Sequence, residues 1–186
     1  MPEAALVLVS AVLGFCAAQY GEYRQERQLG ARILSSIEAE VTHNLAVLEP
    51  MVPFHEAWVR SLDNAGKTPA GSGIDVFFAT RPPFPTGARS PFPTLRRSAW
   101  DAAVAGGSVR LLDYDVVSAL SEIYRAQEIA IENVGRLASG ALAETATYDP
   151  ASRDASVRLL WLTLADIHAA ELRLLELYRE HLSTLR

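Results

Sequence analysis

Cysteine is almost missing: Cys16 is the single one in 186 residues. That excludes a disulfide framework and any multi-cysteine zinc site, and it leaves the redox compartment open. Positive charge is in deficit too. Seventeen Lys and Arg stand against 22 Asp and Glu, a formal charge of -5 spread along the chain. A dedicated nucleic-acid binder would need a basic face, so that class is excluded. Strand-like alternation is absent at useful length, apart from the brief apolar run Ile74, Val76, Phe77 and Phe78. No Ser sits in a Gly-x-Ser-x-Gly setting and no phosphate-cradling glycine loop follows a strand; Gly71-Ser72-Gly73 is linker chemistry. The length suits one domain, or one domain plus an anchor, and not two ordinary enzyme domains.

Charge is absent altogether from Ala4 to Gly21, 18 residues dominated by Ala, Val and Leu. As a helix they rise roughly 27 Å, just under the ~30 Å hydrocarbon core of a bilayer. Tyr20 and Tyr23 follow where an interfacial aromatic belt would lie, among Glu22, Arg24, Glu26 and Arg27. A cleaved signal peptide has a basic start, and Met1-Pro2-Glu3 is not basic. A lipoprotein signal places a small residue before its cysteine, where this chain has Phe15. A buried core helix is the other competitor, because 18 residues is a borderline length. The expectation is an uncleaved transmembrane anchor over residues 1–21. Its run from Ala4 to Gly21 holds no Asp, Glu, Lys, Arg or His, and so reads as a chemically passive span, without the imidazole a pigment-binding helix would need. Ser10, Ala11, Gly14, Ala17 and Ala18 put small residues at close spacing and offer a surface for lateral helix packing.

Residues 22–186 read as a helical bundle domain. Leu34, Ile37, Val41, Leu45 and Leu48 recur at spacings of three and four, one face of an amphipathic helix that continues the anchor and stops before Pro50. Gly21 and Gly30 are the points where it can bend. A shorter helix opened by Pro53 runs through Phe54, Trp58, Val59 and Leu62 to Asn64-Ala65-Gly66. Residues 66–93 hold six prolines and four glycines, which excludes a continuous helix and predicts a long loop packed on the bundle or on a partner. Thr94 is placed to cap a helix over Leu95 to Val104, and Gly106-Gly107 breaks it. Asp113 or Asp115 caps a long helix with Val116, Leu120, Ile123, Ala130, Val134 and Leu137 on one stripe, ending near Gly140. Asp149-Pro150 opens the last helix, through Leu160, Trp161, Leu164, Ile167, Leu172, Leu175, Tyr178 and Leu182. The predicted fold class is all-α, a transmembrane helix continuing into a bundle of about four helices with a long Pro/Gly-rich loop.

The chemistry on offer is thin. Glu40-Val41-Thr42-His43 is a Glu-x-x-His, which sets a carboxylate and an imidazole on one helix face, as in carboxylate-bridged di-iron bundles. Those need the motif twice; Val52, Ala165 and Tyr178 precede His55, His168 and His181 by three, and His168 with Glu171 is a reversed pair. Glu40 and His43 therefore read as solvated or salt-bridged groups. Cys16 lies inside the apolar run, where a thiolate is disfavoured. Trp58, Trp100, Trp161, Tyr124 and Tyr178 read as core. No catalytic, cofactor or metal residues are expected.

Tyr23-Arg24-Gln25-Glu26-Arg27 running into Ile33 to Asn44, then Ser98-Ala99-Trp100-Asp101-Ala102-Ala103, a glycine break, and Val109-Arg110-Leu111-Leu112-Asp113-Tyr114 form a sequence of features. In these the chain resembles a broad group of uncharacterised single-span bacterial membrane proteins that begin with such an anchor. The resemblance implies an inner-membrane, single-pass protein with its body in the periplasm. The Lys and Arg count points to a cytoplasmic body instead, because Arg24, Arg27 and Arg32 follow the span and none precedes it. The expected function is a non-catalytic accessory subunit that stabilises or helps assemble a larger membrane complex, with respiratory or photosynthetic assemblies as candidate hosts. Its expected partners are other subunits and the lipid bilayer, with no nucleic acid. The alternative is a membrane-tethered helical-bundle sensor or a carboxylate/His metal-binding enzyme.

Overall fold

In the computed structural model, the described residues are 2–67 and 71–182, with side chains described for 13–65 and 71–182. Among them the fold is all-helical, without strands. Six α-helices follow in order: α1 Pro2–Leu48, α2 Met51–Asp63, α3 Gly73–Ala79, α4 Ser98–Ala105, α5 Tyr114–Arg136 and α6 Arg153–His181. Single-turn 3₁₀ segments link them, and a π-turn at Leu137–Ala141 closes α5.

Local signals account for most boundaries. α1 ends at Leu48, before Pro50. Pro53 lies in the first turn of α2, where a missing N–H costs no helical bond. Asp113 precedes α5 in extended conformation, and the Asp149 carboxylate accepts from Ala151 N–H to start the turn that leads into α6. Gly107, at φ +65°, reverses the chain between α4 and the Ser108–Leu111 turn.

Two segments take a form other than the expected one. The apolar run Ile74 to Phe78 is helical, inside α3. Ser72 and Asp75 form a capping box there, and the Ser72 hydroxyl and N–H hold the Asp75 carboxyl below its ordinary value. Val76 and Phe77 are buried on the protein's own bundle, and Phe78 is exposed. The helix expected from Leu95 begins instead at Ser98, because the backbone of Arg96 is drawn into hydrogen bonds with side chains of other helices.

The core has two parts. Ile37, Val41 and Leu48 of α1 pack with Leu120 and Ile123 of α5 and with Leu174, Leu177 and Tyr178 of α6. Met51, Phe54, Trp58 and Leu62 of α2 pack with Val76 and Phe77 of α3, Leu137, and Leu160, Leu164 and Ile167 of α6. Each such aliphatic side chain contributes about 1.5–3 kcal/mol on burial. α6 is the shared spine. Its Leu172, expected on the buried stripe, is exposed; the inward positions are Glu171, Leu174 and Leu177, as the packing of the helix on both halves requires.

Among the described residues, no helix is long and apolar enough to cross a membrane. The span expected at residues 4–21 extends over 4–12, whose side chains lie outside the described ones. Its remainder, from residue 13, belongs to α1, which is helical without a break through Gly21 and Gly30. Residues 13–29 are exposed except for the half-buried Gly21, and the first buried residue is Gly30. A Cβ at Gly30 would come to 2.8 Å of the Leu111 carbonyl oxygen, so glycine is what lets the Ser108–Leu111 turn lie flat on α1. Gly30→Ala is expected to destabilise the fold by about 1–3 kcal/mol in urea unfolding. Gly135→Ala, where nothing lies within 4 Å, is expected to be neutral or to stabilise by up to about 1 kcal/mol.

Candidate functional site

Glu40 and Asn44 stand one turn apart on α1 and are both buried. They face the segment that leads into α4. Glu40 accepts from the Ala99 N–H at 2.9 Å, the Ser98 hydroxyl at 3.2 Å and, more weakly, the Trp100 N–H at 3.5 Å. These are free donors at the start of a helix, so a carboxylate from a different helix serves as the cap of α4. The Tyr124 hydroxyl of α5 donates to the same carboxylate at 2.6 Å. Burial, and then this hydrogen bond, push the Tyr124 phenol far above its ordinary value, which keeps it a donor. Trp100 lies flat on Tyr124, ring centroids 5.1 Å apart at 6°.

Asn44 clamps the backbone of Arg96, donating to its carbonyl at 2.7 Å and accepting from its N–H at 2.8 Å. Gln127 of α5 donates to the same carbonyl at 2.9 Å and accepts from the Tyr178 hydroxyl of α6 at 2.9 Å. Burial chiefly pushes the Tyr178 phenol up as well. One network therefore joins α1, α4, α5 and α6. The Glu-x-x-His reading is corrected by it: Glu40 is neither solvated nor salt-bridged, and its oxygens are occupied by donors.

The second polar centre lies between the two halves of the core. His55 of α2 is fully buried, its Nδ1 2.6 Å from Glu171 Oε2 on α6 and its Nε2 2.7 Å from the Pro91 carbonyl. A carbonyl only accepts, so Nε2–H is the donor there, and the short Nδ1 contact requires a proton between nitrogen and carboxylate. Phe92 stacks on the imidazole at 5.4 Å, and Trp58 donates its indole N–H to the Phe77 carbonyl at 3.0 Å. The proline-rich segment is thereby pinned at both ends of its irregular run. Glu171 is not paired with His168, one turn earlier on α6; His168 Nδ1 is buried and has no hydrogen-bond partner. Burial holds the His168 imidazole below its ordinary value, against the opposing charges of Glu171 and Glu56 and with the help of His55.

Chemically, these centres are closed. Both nitrogens of His55 are occupied by protein atoms, leaving neither to take a proton from a substrate. Among the described residues, no group of three or more His, Cys, Asp or Glu is placed to hold a metal ion. A cleft of about 640 Å³ between the end of α2 and the start of α6 is lined by residues that include Leu62, Asp63, Arg153, Asp154 and Trp161, and none of Glu40, His55 and Glu171 lines it. Of the small residues in the apolar run, Ser10 and Ala11 lie outside the described side chains. Gly14, Ala17 and Ala18 are exposed, and nothing approaches within 4 Å of a Cβ built on Gly14. No family model, curated protein or solved structure matches the chain.

The sequence reading missed Asn44, Gln127, Tyr124 and Tyr178 as one network. The available signal was polar side chains on positions that the heptad-like spacing assigns to the buried stripe, Asn44 beside Val41 and Leu48, and Gln127 between Ile123 and Ala130.

Glu40→Gln is expected to cost about 2–4 kcal/mol in chemical denaturation, because the amide presents N–H groups to buried donors. For His168 the folded value lies below the unfolded one of about 6.5, so the unfolded chain binds the proton more readily. Its contribution is full above that value and is lost as pH falls toward the folded one. The urea midpoint is expected to drop between pH 7 and pH 5, with a smaller drop in His168→Gln.

Proposed function

We propose that the chain is a single-span, non-catalytic accessory subunit that stabilises or helps assemble a larger membrane complex in the bacterial inner membrane. The observation that carries this reading is the exposed stretch of α1 ahead of the bundle. Leu13 is 64% exposed and Phe15 63% exposed, and among the described side chains those of residues 13–29 are exposed apart from the half-buried Gly21. An apolar helical rod in water is unfavourable, at about 25 cal/mol for each Å² left uncovered, and lipid or a neighbouring helix would cover it. The uncharged run from Ala4 to Gly21 has nearly the length for a bilayer core, and Tyr20 and Tyr23 stand at its end.

The rest of the molecule supports a scaffold in place of a catalyst. Its buried Glu40, Glu171 and His55 bond to its own backbone and helices, and they lie apart from the cleft between α2 and α6. Exposed Gly14, Ala17 and Ala18 offer a close-packing strip to a helix of a host subunit. The resemblance to single-span proteins favours a periplasmic body, and respiratory or photosynthetic complexes are candidate hosts.

Purification from native membranes in mild detergent through a C-terminal tag is expected to bring down other membrane subunits in fixed ratio. Recovery of a lone, water-soluble chain would overturn the proposal. Leu13→Arg, a charge near the middle of the run costing about 2.5–3.5 kcal/mol, is expected to shift the protein from the carbonate-resistant membrane fraction into the supernatant.

A further inference from the structure

Charge is divided unevenly along the chain. The whole carries a formal -5, yet residues 76–100 hold four arginines, Arg81, Arg89, Arg96 and Arg97, and no Asp, Glu or Lys. Most of that stretch is the proline-rich wall of the body. Arg97 is paired with Asp101 at 2.9 Å. Arg81, Arg89 and Arg96 are exposed, and no carboxylate among the described residues pairs with any of the three. Elsewhere on the body Arg60, Arg125, Arg173 and Arg179 each meet a glutamate.

The wall lies along the junction of α1 and α2, and its contacts there set the three cations in order. The Arg96 backbone is held by Asn44 of α1. Arg89 lines a groove of about 400 Å³ together with Val47 of α1, Met51 of α2, Ala88, Phe92 and Pro93, and no Asp or Glu lines it. Arg81 lies over the Phe84 ring at 4.5 Å, and that ring stands 5.8 Å from Phe54 of α2. From Asn44 through Met51 to Phe54 the wall therefore offers a cation, an apolar groove edged by a second cation, and a third cation on a partly exposed aromatic ring. The surface is also preformed. Pro91 and Arg96 are bonded to His55 and Asn44, and the prolines of the wall have a fixed φ. Little conformational freedom is left to lose when a ligand seats there.

We propose that this strip, Arg81 to Arg96, is a docking surface for an acidic segment of a partner protein. Carboxylates of the segment meet Arg81, Arg89 and Arg96, and an apolar side chain between them enters the groove. Charge selects that occupant: unpaired guanidiniums gathered on one wall, with no carboxylate among them, attract an acidic partner and repel a basic one. A nucleic acid fits less well, because the negative charge of the whole chain opposes a polyanion and an apolar groove offers nothing to phosphate. The inference rests on the reading of the body as a binding scaffold, and it does not depend on residues 4–21 spanning a bilayer.

The test pans a phage library of random linear peptides on the full chain, held in mild detergent through a C-terminal tag. The expected outcome is selection of peptides rich in Asp and Glu around a Leu or Phe. Fluorescence anisotropy of a selected peptide is expected to show binding that weakens several-fold as salt is raised, and by roughly tenfold in Arg89→Glu. The Arg89 side chain has no hydrogen-bond or ion-pair partner among the described residues, so that variant keeps the fold, which an unchanged urea midpoint verifies; Arg81→Glu gives a second, independent reading. Peptides without acidic bias, no selection at all, or equal binding by the wild type and both variants would overturn the surface. Tighter binding of an oligothymidylate would mean a nucleic-acid site and overturns it too. Concentration-dependent dimers that Arg89→Glu abolishes would assign the strip to a second copy and overturn the partner. Acidic-peptide binding by a chain that is recovered alone and water-soluble from native cells would leave the surface standing and sink the membrane-subunit reading. Co-purifying membrane subunits without acidic-peptide selection would do the reverse.

Discussion

One turn of α1, from Glu40 to Asn44, holds the molecule in register. The helix is 47 residues long, about 70 Å, and its described side chains from 13 to 29 are exposed apart from the half-buried Gly21. Whatever covers that part, the body can follow it only if the second part is rigidly docked. Apolar burial of Ile37, Val41 and Leu48 supplies attraction without direction. The directional part comes from two buried side chains that bind backbone groups of Arg96 and Ala99 at 2.7–2.9 Å. A slide of one turn along α1 would leave the start of α4 uncapped and the Arg96 backbone unpaired, at a cost of about 1–3 kcal/mol for each buried group.

The same logic explains how a segment rich in proline and glycine becomes a wall of the body. It cannot satisfy its backbone in a helix, so side chains from regular elements do so. Trp58 binds the Phe77 carbonyl, His55 the Pro91 carbonyl, and Asn44 the Arg96 peptide. Each donor sits on a helix packed by one of the two core clusters. Glu171 completes the arrangement from α6, the element both clusters share, between Ile167 and Leu174. His55 thereby ties α2, the segment at Pro91 and α6 together at the seam of the core.

This division of labour bears on function. Carboxylates and imidazoles are the groups through which small helical domains bind metals or move protons, and here the buried ones hold protein to protein. What the molecule presents outward is of another kind: an exposed, uncharged stretch of α1 with Gly14, Ala17 and Ala18 on it.

The helical class, the stripe from Ile37 to Leu48, the ends at Pro50, Gly106-Gly107 and Asp149-Pro150, and the uncharged run at 4–21 were legible in the sequence. All of them are local: helical periodicity, caps and breakers act over three or four residues, so the residues concerned are neighbours on the page. The partners of Glu40, Asn44 and His55 were not, since Glu40 and Ala99 are 59 residues apart and His55 and Glu171 are 116 apart. Nor was the late start of α4, because it is imposed by side chains from α1 and α5; the helical form of Ile74 to Phe78 does carry a local signal, the Ser72–Asp75 capping box, which lies inside a stretch dominated by proline and glycine. Periodicity says which face of a helix seeks cover; only the packed fold decides which distant polar group meets which, because burial is what makes an unmet donor costly.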